Sequence, residues 1–157
     1  MNNKINVKQL IISIIIPLLV GTVSGLLSMN SMQQYELIEK PSLSPPAIVF
    51  PIVWTILYIL MGISSYLIYS CNCPDRNKAL TVYAIQLAVN FIWPLIFFNA
   101  GAYLIAFVWL VLLWLLVLYM ILLFYPINKA AALLQIPYLV WLTFAGYLNY
   151  SVYMLNR

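Results

Sequence analysis

The chain has no histidine and very little charge, with three acidic and seven basic side chains among 157 residues. Without histidine there is no histidine general base, no histidine ligand for haem and no His-containing metal site. Charged residues make up 6% of the chain, where a soluble domain carries roughly 25%. With 66% hydrophobic residues, the composition is that of an integral membrane protein. No Asp, Glu, Lys or Arg lies in the runs Gln9 to Tyr35 or Ala79 to Asn128, so the intramembrane carboxylates of proton relays and ion-coupled pumps are missing. The net charge of +4 is scattered among loops and forms no basic stripe, which argues against nucleic acid as a partner. Cys71 and Cys73, one residue apart, match neither a Cys-x-x-Cys redox motif nor a zinc site and are expected to be loop thiols. No cofactor and no metal ligand set is expected.

What the chain does contain is long apolar runs, each near the roughly 20 residues needed to cross a bilayer. They predict one all-α transmembrane domain over residues 1–157, a bundle of five helices at about 8–28, 47–69, 79–98, 102–124 and 130–155. The uncharged run from Ala79 to Asn128 is too long for one crossing, and Asn99-Ala100-Gly101 is the turn that divides it. Lys4 and Lys8 ahead of the first run would also suit a cleaved signal peptide, but the run is long enough to be a helix of the bundle. Gly21 and Gly25 give it a G-x-x-x-G face, and Ala84 and Ala88 give helix three a similar one; both are candidate surfaces for self-association. Lys4, Lys8, Arg76, Lys78 and Lys129 fall on one side of the membrane, and Lys40 and Arg157 on the other. The positive-inside rule then puts the N-terminus in the cytoplasm.

The most informative stretch runs from Lys40 to Tyr58. Pro41, Pro45, Pro46 and Pro51 stiffen a loop that passes into helix two near Pro46 or Ala47, with Ser44 as the expected N-cap. The loop, 29–46, is thereby a shaped lid, and Trp54 and Tyr58 follow on one helix face. Gln86, Asn90, Trp93 and Phe97 make one face of helix three, and Trp141, Ala145, Leu148 and Val152 one face of helix five, with Asn149 beside it. Amides in a membrane must be satisfied, so Gln86 and Asn90 are expected to point inward, either at neighbouring helices or at a ligand. Trp109, Trp114 and Tyr119 are expected in packing or in interfacial belts.

Three motifs, KPSLSPPAIVFPIVWTILYILMG at 40–62, QLAVNFIWPLIFF at 86–98 and PYLVWLTFAGYLNYSVYMLN at 137–156, resemble the translocator protein family, also called tryptophan-rich sensory proteins or peripheral-type benzodiazepine receptors, and in particular its bacterial members. One departure is Leu43, where the family commonly has tryptophan. The resemblance implies a compact bundle in a bacterial cell membrane, commonly a homodimer, whose first loop closes one pocket. It implies a receptor or sensor for porphyrins such as protoporphyrin IX and for isoquinoline-carboxamide-type ligands. The ligand-binding positions it implies are Tyr35 and Pro45 from the loop, Trp54 and Tyr58, then Gln86, Asn90 and Trp93, and finally Trp141, Ala145 and Leu148. Two alternatives stay open: light- and oxygen-dependent porphyrin degradation, with Trp54 and Trp141 as the catalytic residues, and passive transport of porphyrin or lipid. A loose cholesterol-type pattern, Leu148, Tyr153 and Arg157, also fits an ordinary helix end with an interfacial tyrosine at the membrane lipid.

Overall fold

The computed structural model describes residues 5–157, with the backbone alone at Gln34; Lys4, used in the charge count above, lies outside the described residues. Its helices are α1 (Val7–Tyr35), α2 (Val49–Tyr69), α3 (Arg76–Pro94), α4 (Tyr103–Ile127), α5 (Lys129–Leu133) and α6 (Ile136–Leu155). A single π-turn, Leu95–Asn99, extends α3. Five segments are long and apolar enough to span a membrane, α5 and α6 together forming the fifth. A helical span bonds most of its backbone polar groups within itself, as a bilayer core requires, with exceptions at the prolines and the helix ends.

Prolines and glycines account for the departures from straight helices. Pro137 has no N–H for the carbonyl four residues back, and the fifth span breaks there into α5 and α6, with proline in the first turn of α6. Asn128 restarts the chain after α4, its side chain accepting from the Ala131 N–H at 3.0 Å. Gly101, at φ 59, makes the turn between the π-turn and α4.

The end of α1 differs from expectation, since the helix continues through Met29, Ser31 and Met32 to Tyr35, into the segment expected to be a loop. Polarity rises there, but no residue breaks the helix. The α2 helix starts at Val49, after a turn closed by the Val49 N–H on the Pro46 carbonyl, and Ile48 stands at its N-cap without a side-chain bond. Ser44 is therefore not the cap; its own N–H closes an earlier turn on Pro41, at 2.9 Å.

Helix α1 packs closely on α2, and Pro17 helps explain how. It offers no N–H to the Ser13 carbonyl, and that oxygen faces Gly62 of α2. A Cβ at Gly62 would stand 2.7 Å from the Ser13 oxygen and would collide with the Ile14 Cα, so only glycine permits this approach. Further out, the Tyr58 ring lies over Gly21, which gives that glycine a role inside the bundle, while Gly25 faces open space. Ser24 donates to the Phe91 carbonyl at 2.7 Å and ties α1 to α3.

Candidate functional site

The predicted residues of α2, α3 and α6 converge on the bundle interior. Tyr58 donates to Asn90 Oδ1 at 2.7 Å, Asn90 Nδ2 donates to the Tyr138 hydroxyl at 2.8 Å, and Tyr138 donates to Gln86 Oε1 at 3.0 Å. This chain of four side chains crosses three helices and contains no charge. Gln86 and Asn90 are 0% and 3% exposed, so both amides point inward, bonded to their neighbours.

Above this chain the site is walled with rings. Trp54 stacks on Tyr58 with centroids 5.5 Å apart and meets Tyr138 edge-on at 6.1 Å. Trp141 meets Phe50 at 5.9 Å and Phe144 at 5.6 Å. Trp93 stacks on Phe97 at 5.2 Å, and its indole N–H donates to Asn149 Oδ1 at 3.2 Å. Helices α2 and α6 make little direct backbone contact and are bridged by these rings, Trp54 to Tyr138 and Phe50 to Trp141. The Trp141 indole N–H is buried and finds no partner among the described residues. Ala145 and Leu148 are buried on the same face of α6. Leu148 is buried whereas Arg157 is exposed, so the cholesterol-type pattern does not form one lipid-facing surface.

The two loop positions are placed differently. Tyr35 ends α1 and packs on Phe97 and Phe98, centroids 5.6 and 5.4 Å away, with the Lys40 ammonium 4.6 Å above its ring. Burial pushes its phenol above the ordinary value, and the neighbouring Ser44 hydroxyl draws it partly back. Pro45 is half-buried in the connecting segment, and Leu43 is exposed. That segment is fastened to the far end of the chain, where Asn156 accepts from the Glu39 N–H at 3.1 Å and donates to the Glu39 carbonyl at 2.9 Å.

Several residues that matter here were not singled out from the sequence. Tyr138, 1% exposed, is the centre of the polar chain, and its signal was available, since it lies three residues before Trp141 on one face. Asn156 carried no signal, because its partner is 117 positions away. Cys71 and Cys73, expected as free thiols, are joined in a disulfide, their Cα atoms 5.4 Å apart. Trp109 and Trp114 pack between helices, donating to the Val89 carbonyl at 2.8 Å and to the Thr143 hydroxyl at 2.9 Å. A lipid-facing hollow of about 330 Å³ between α4 and α6, lined by Phe107, Trp114, Gly146 and Tyr150, is separate from this interior site.

These features define a class: an integral membrane protein of five spans whose interior offers aromatic faces and neutral hydrogen-bonding groups. Residues 13–155 match the family model described as TspO/MBR family, and the chain belongs to that family. It is 33% identical over 152 residues to the Tryptophan-rich protein TspO of Archaeoglobus fulgidus, covering 96% of this chain and 99% of that one. It is 38% identical over 131 residues to the human Translocator protein, covering 82% and 78%. It is 34% identical over 122 residues to the Tryptophan-rich sensory protein of Cereibacter sphaeroides, covering 78% and 76%.

Proposed function

We propose that the protein is a membrane receptor or sensor that takes a flat hydrophobic ligand, a metal-free porphyrin such as protoporphyrin IX, between α2 and α6. The observation that carries this reading is the ring-filled space between those helices. Trp54 and Trp141 stand at one end of it and the neutral Tyr58–Asn90–Tyr138–Gln86 chain at the other. A macrocycle entering there exchanges ring-to-ring contacts for ring-to-macrocycle contacts of the same kind, so little apolar contact is lost on opening. A carbonyl or carboxylate on the ligand would satisfy the Trp141 N–H. Tyr35 and Pro45 belong to the rim, and Ala145 and Leu148 to the wall that α6 supplies between Trp141 and that rim. The same geometry admits a neutral carboxamide ligand. We further propose that the protein is a homodimer through α3, whose Ala84 and Ala88 are exposed on the single chain, and that its basic side faces the cytoplasm.

The test is titration of protoporphyrin IX into the purified protein in detergent micelles, in darkness, following the porphyrin band and tryptophan fluorescence. Saturable quenching with a shifted band is expected, weakened by Trp54→Phe and Trp141→Phe; no protein-dependent spectral change would overturn the reading. Repeating the titration under illumination separates a receptor from a porphyrin-degrading enzyme. Degradation requires product that forms only with protein and falls steeply in the two phenylalanine variants, which keep the ring but lose the easily oxidised indole.

A further inference from the structure

The polar chain has an inner end, pointing away from the rings, that the proposed ligand site does not use. Gln86 accepts from Tyr138, yet its Nε2 finds no partner among the described residues. Gln135 is 0% exposed, and both its Nε2 and Oε1 are likewise unpartnered; the same holds for the hydroxyl of Tyr83, 7% exposed.

Helix register brings these groups to one level. Helices α3 and α6 run parallel, as the Gln86–Tyr138 and Trp93–Asn149 pairs require. Tyr83 precedes Gln86 by three residues and Gln135 precedes Tyr138 by three, so both stand one turn inward of the Gln86–Tyr138 bond. On α2 the Ser65 hydroxyl donates to the Gly62 carbonyl and keeps its own oxygen as an acceptor beside the Tyr83 phenol, while Ser64 donates to the Ala131 carbonyl at 2.8 Å.

Two primary amides and a phenol, all buried in the membrane interior, together present four amide N–H donors, an amide oxygen and a hydroxyl. Leaving that many polar atoms dry is very costly, and native interiors almost never do so. We propose that the level of Tyr83, Gln86 and Gln135 is a hydrophilic chamber holding ordered water, about two molecules at roughly three hydrogen bonds each. Water is the ligand that suits the set, because donors and acceptors are mixed and none is charged. The chamber continues the polar chain inward, and its existence does not require a ligand at the rings.

The experiment uses the full chain in micelles with glutamine labelled on its side-chain nitrogen, and reads magnetisation transfer from water to each amide. Water cross-peaks at the Nε2 protons of both Gln86 and Gln135 are expected; absence of a cross-peak at either overturns the chamber, including the case in which the two amides bond each other directly. As an independent reading, Gln135→Met, nearly isosteric and apolar, is expected to raise the unfolding equilibrium constant about tenfold, because it strips water from the remaining groups. A dry, unpartnered amide would give the reverse, so an unchanged or lower unfolding constant in Gln135→Met counts against the proposal.

Discussion

Single residues separate the glycines of this chain, which look alike in sequence. Gly62 is where two backbones meet, and Gly62→Ala forces α1 away from α2; a loss of about 1–3 kcal/mol is expected, the usual cost of overpacking. Gly25, with nothing within reach of a Cβ, should accept alanine with no loss and a gain of up to about 1 kcal/mol from helix propensity. Thermal or denaturant unfolding of the two variants in one detergent checks the pair, and equal stabilities would refute the distinction. Tyr58→Phe keeps the stack on Trp54 but leaves Asn90 Oδ1 buried without its donor. A cost of about 1–3 kcal/mol is expected, together with weaker ligand binding; an unaffected stability would show that Asn90 finds another partner.

At the level of elements, the connecting segment between α1 and α2 is held at both ends: by the turns on Pro41 and Pro46, and by the paired bonds from Asn156 to Glu39. Asn156→Ala removes both of the latter at once. Ligand dissociation from that variant is expected to be several-fold faster in stopped-flow, with a smaller change in affinity, because a lid governs exit more than contact. Equal dissociation rates would remove the segment from any gating role. The elements also show what was legible in the sequence. Five spans and the turn at Asn99-Gly101 followed from hydropathy and turn chemistry, because a bilayer dictates span length. The end of α1 did not, since rising polarity marks where a chain leaves the membrane rather than where its helix stops. The break before α6 rests on Pro137 and the π-turn at Leu95–Asn99 directly follows Pro94; both prolines were in plain view, but neither alone says which kind of irregularity results.

For the whole molecule, the site residues were legible where one helix supplied them at helical spacing, as Gln86, Asn90 and Trp93 do. Asn156 was not legible, because its partner Glu39 lies in a distant segment, and Tyr138, whose spacing from Trp141 was in view, was not singled out. The exposed Ala84–Ala88 face of α3 makes a testable statement about assembly. If the proposed dimer forms through this face, Ala84→Leu is expected to lower the mass in mild detergent from dimer to monomer while leaving the fold intact, as read by mass and circular dichroism; an unchanged mass would count against this interface. The chain through Tyr58, Asn90, Tyr138 and Gln86 carries one more consequence. Hydroxyls rotate and carboxamides can turn over, so the same four side chains satisfy the same three links with every donor and acceptor exchanged. In one sense the phenol oxygen of Tyr58 faces the rings as an acceptor and Gln86 presents N–H inward; in the other, Tyr58 offers its proton and Gln86 its oxygen. A guest bearing either kind of group is therefore met without moving a helix, and the sense it selects is written at the opposite end of the line, three side chains away.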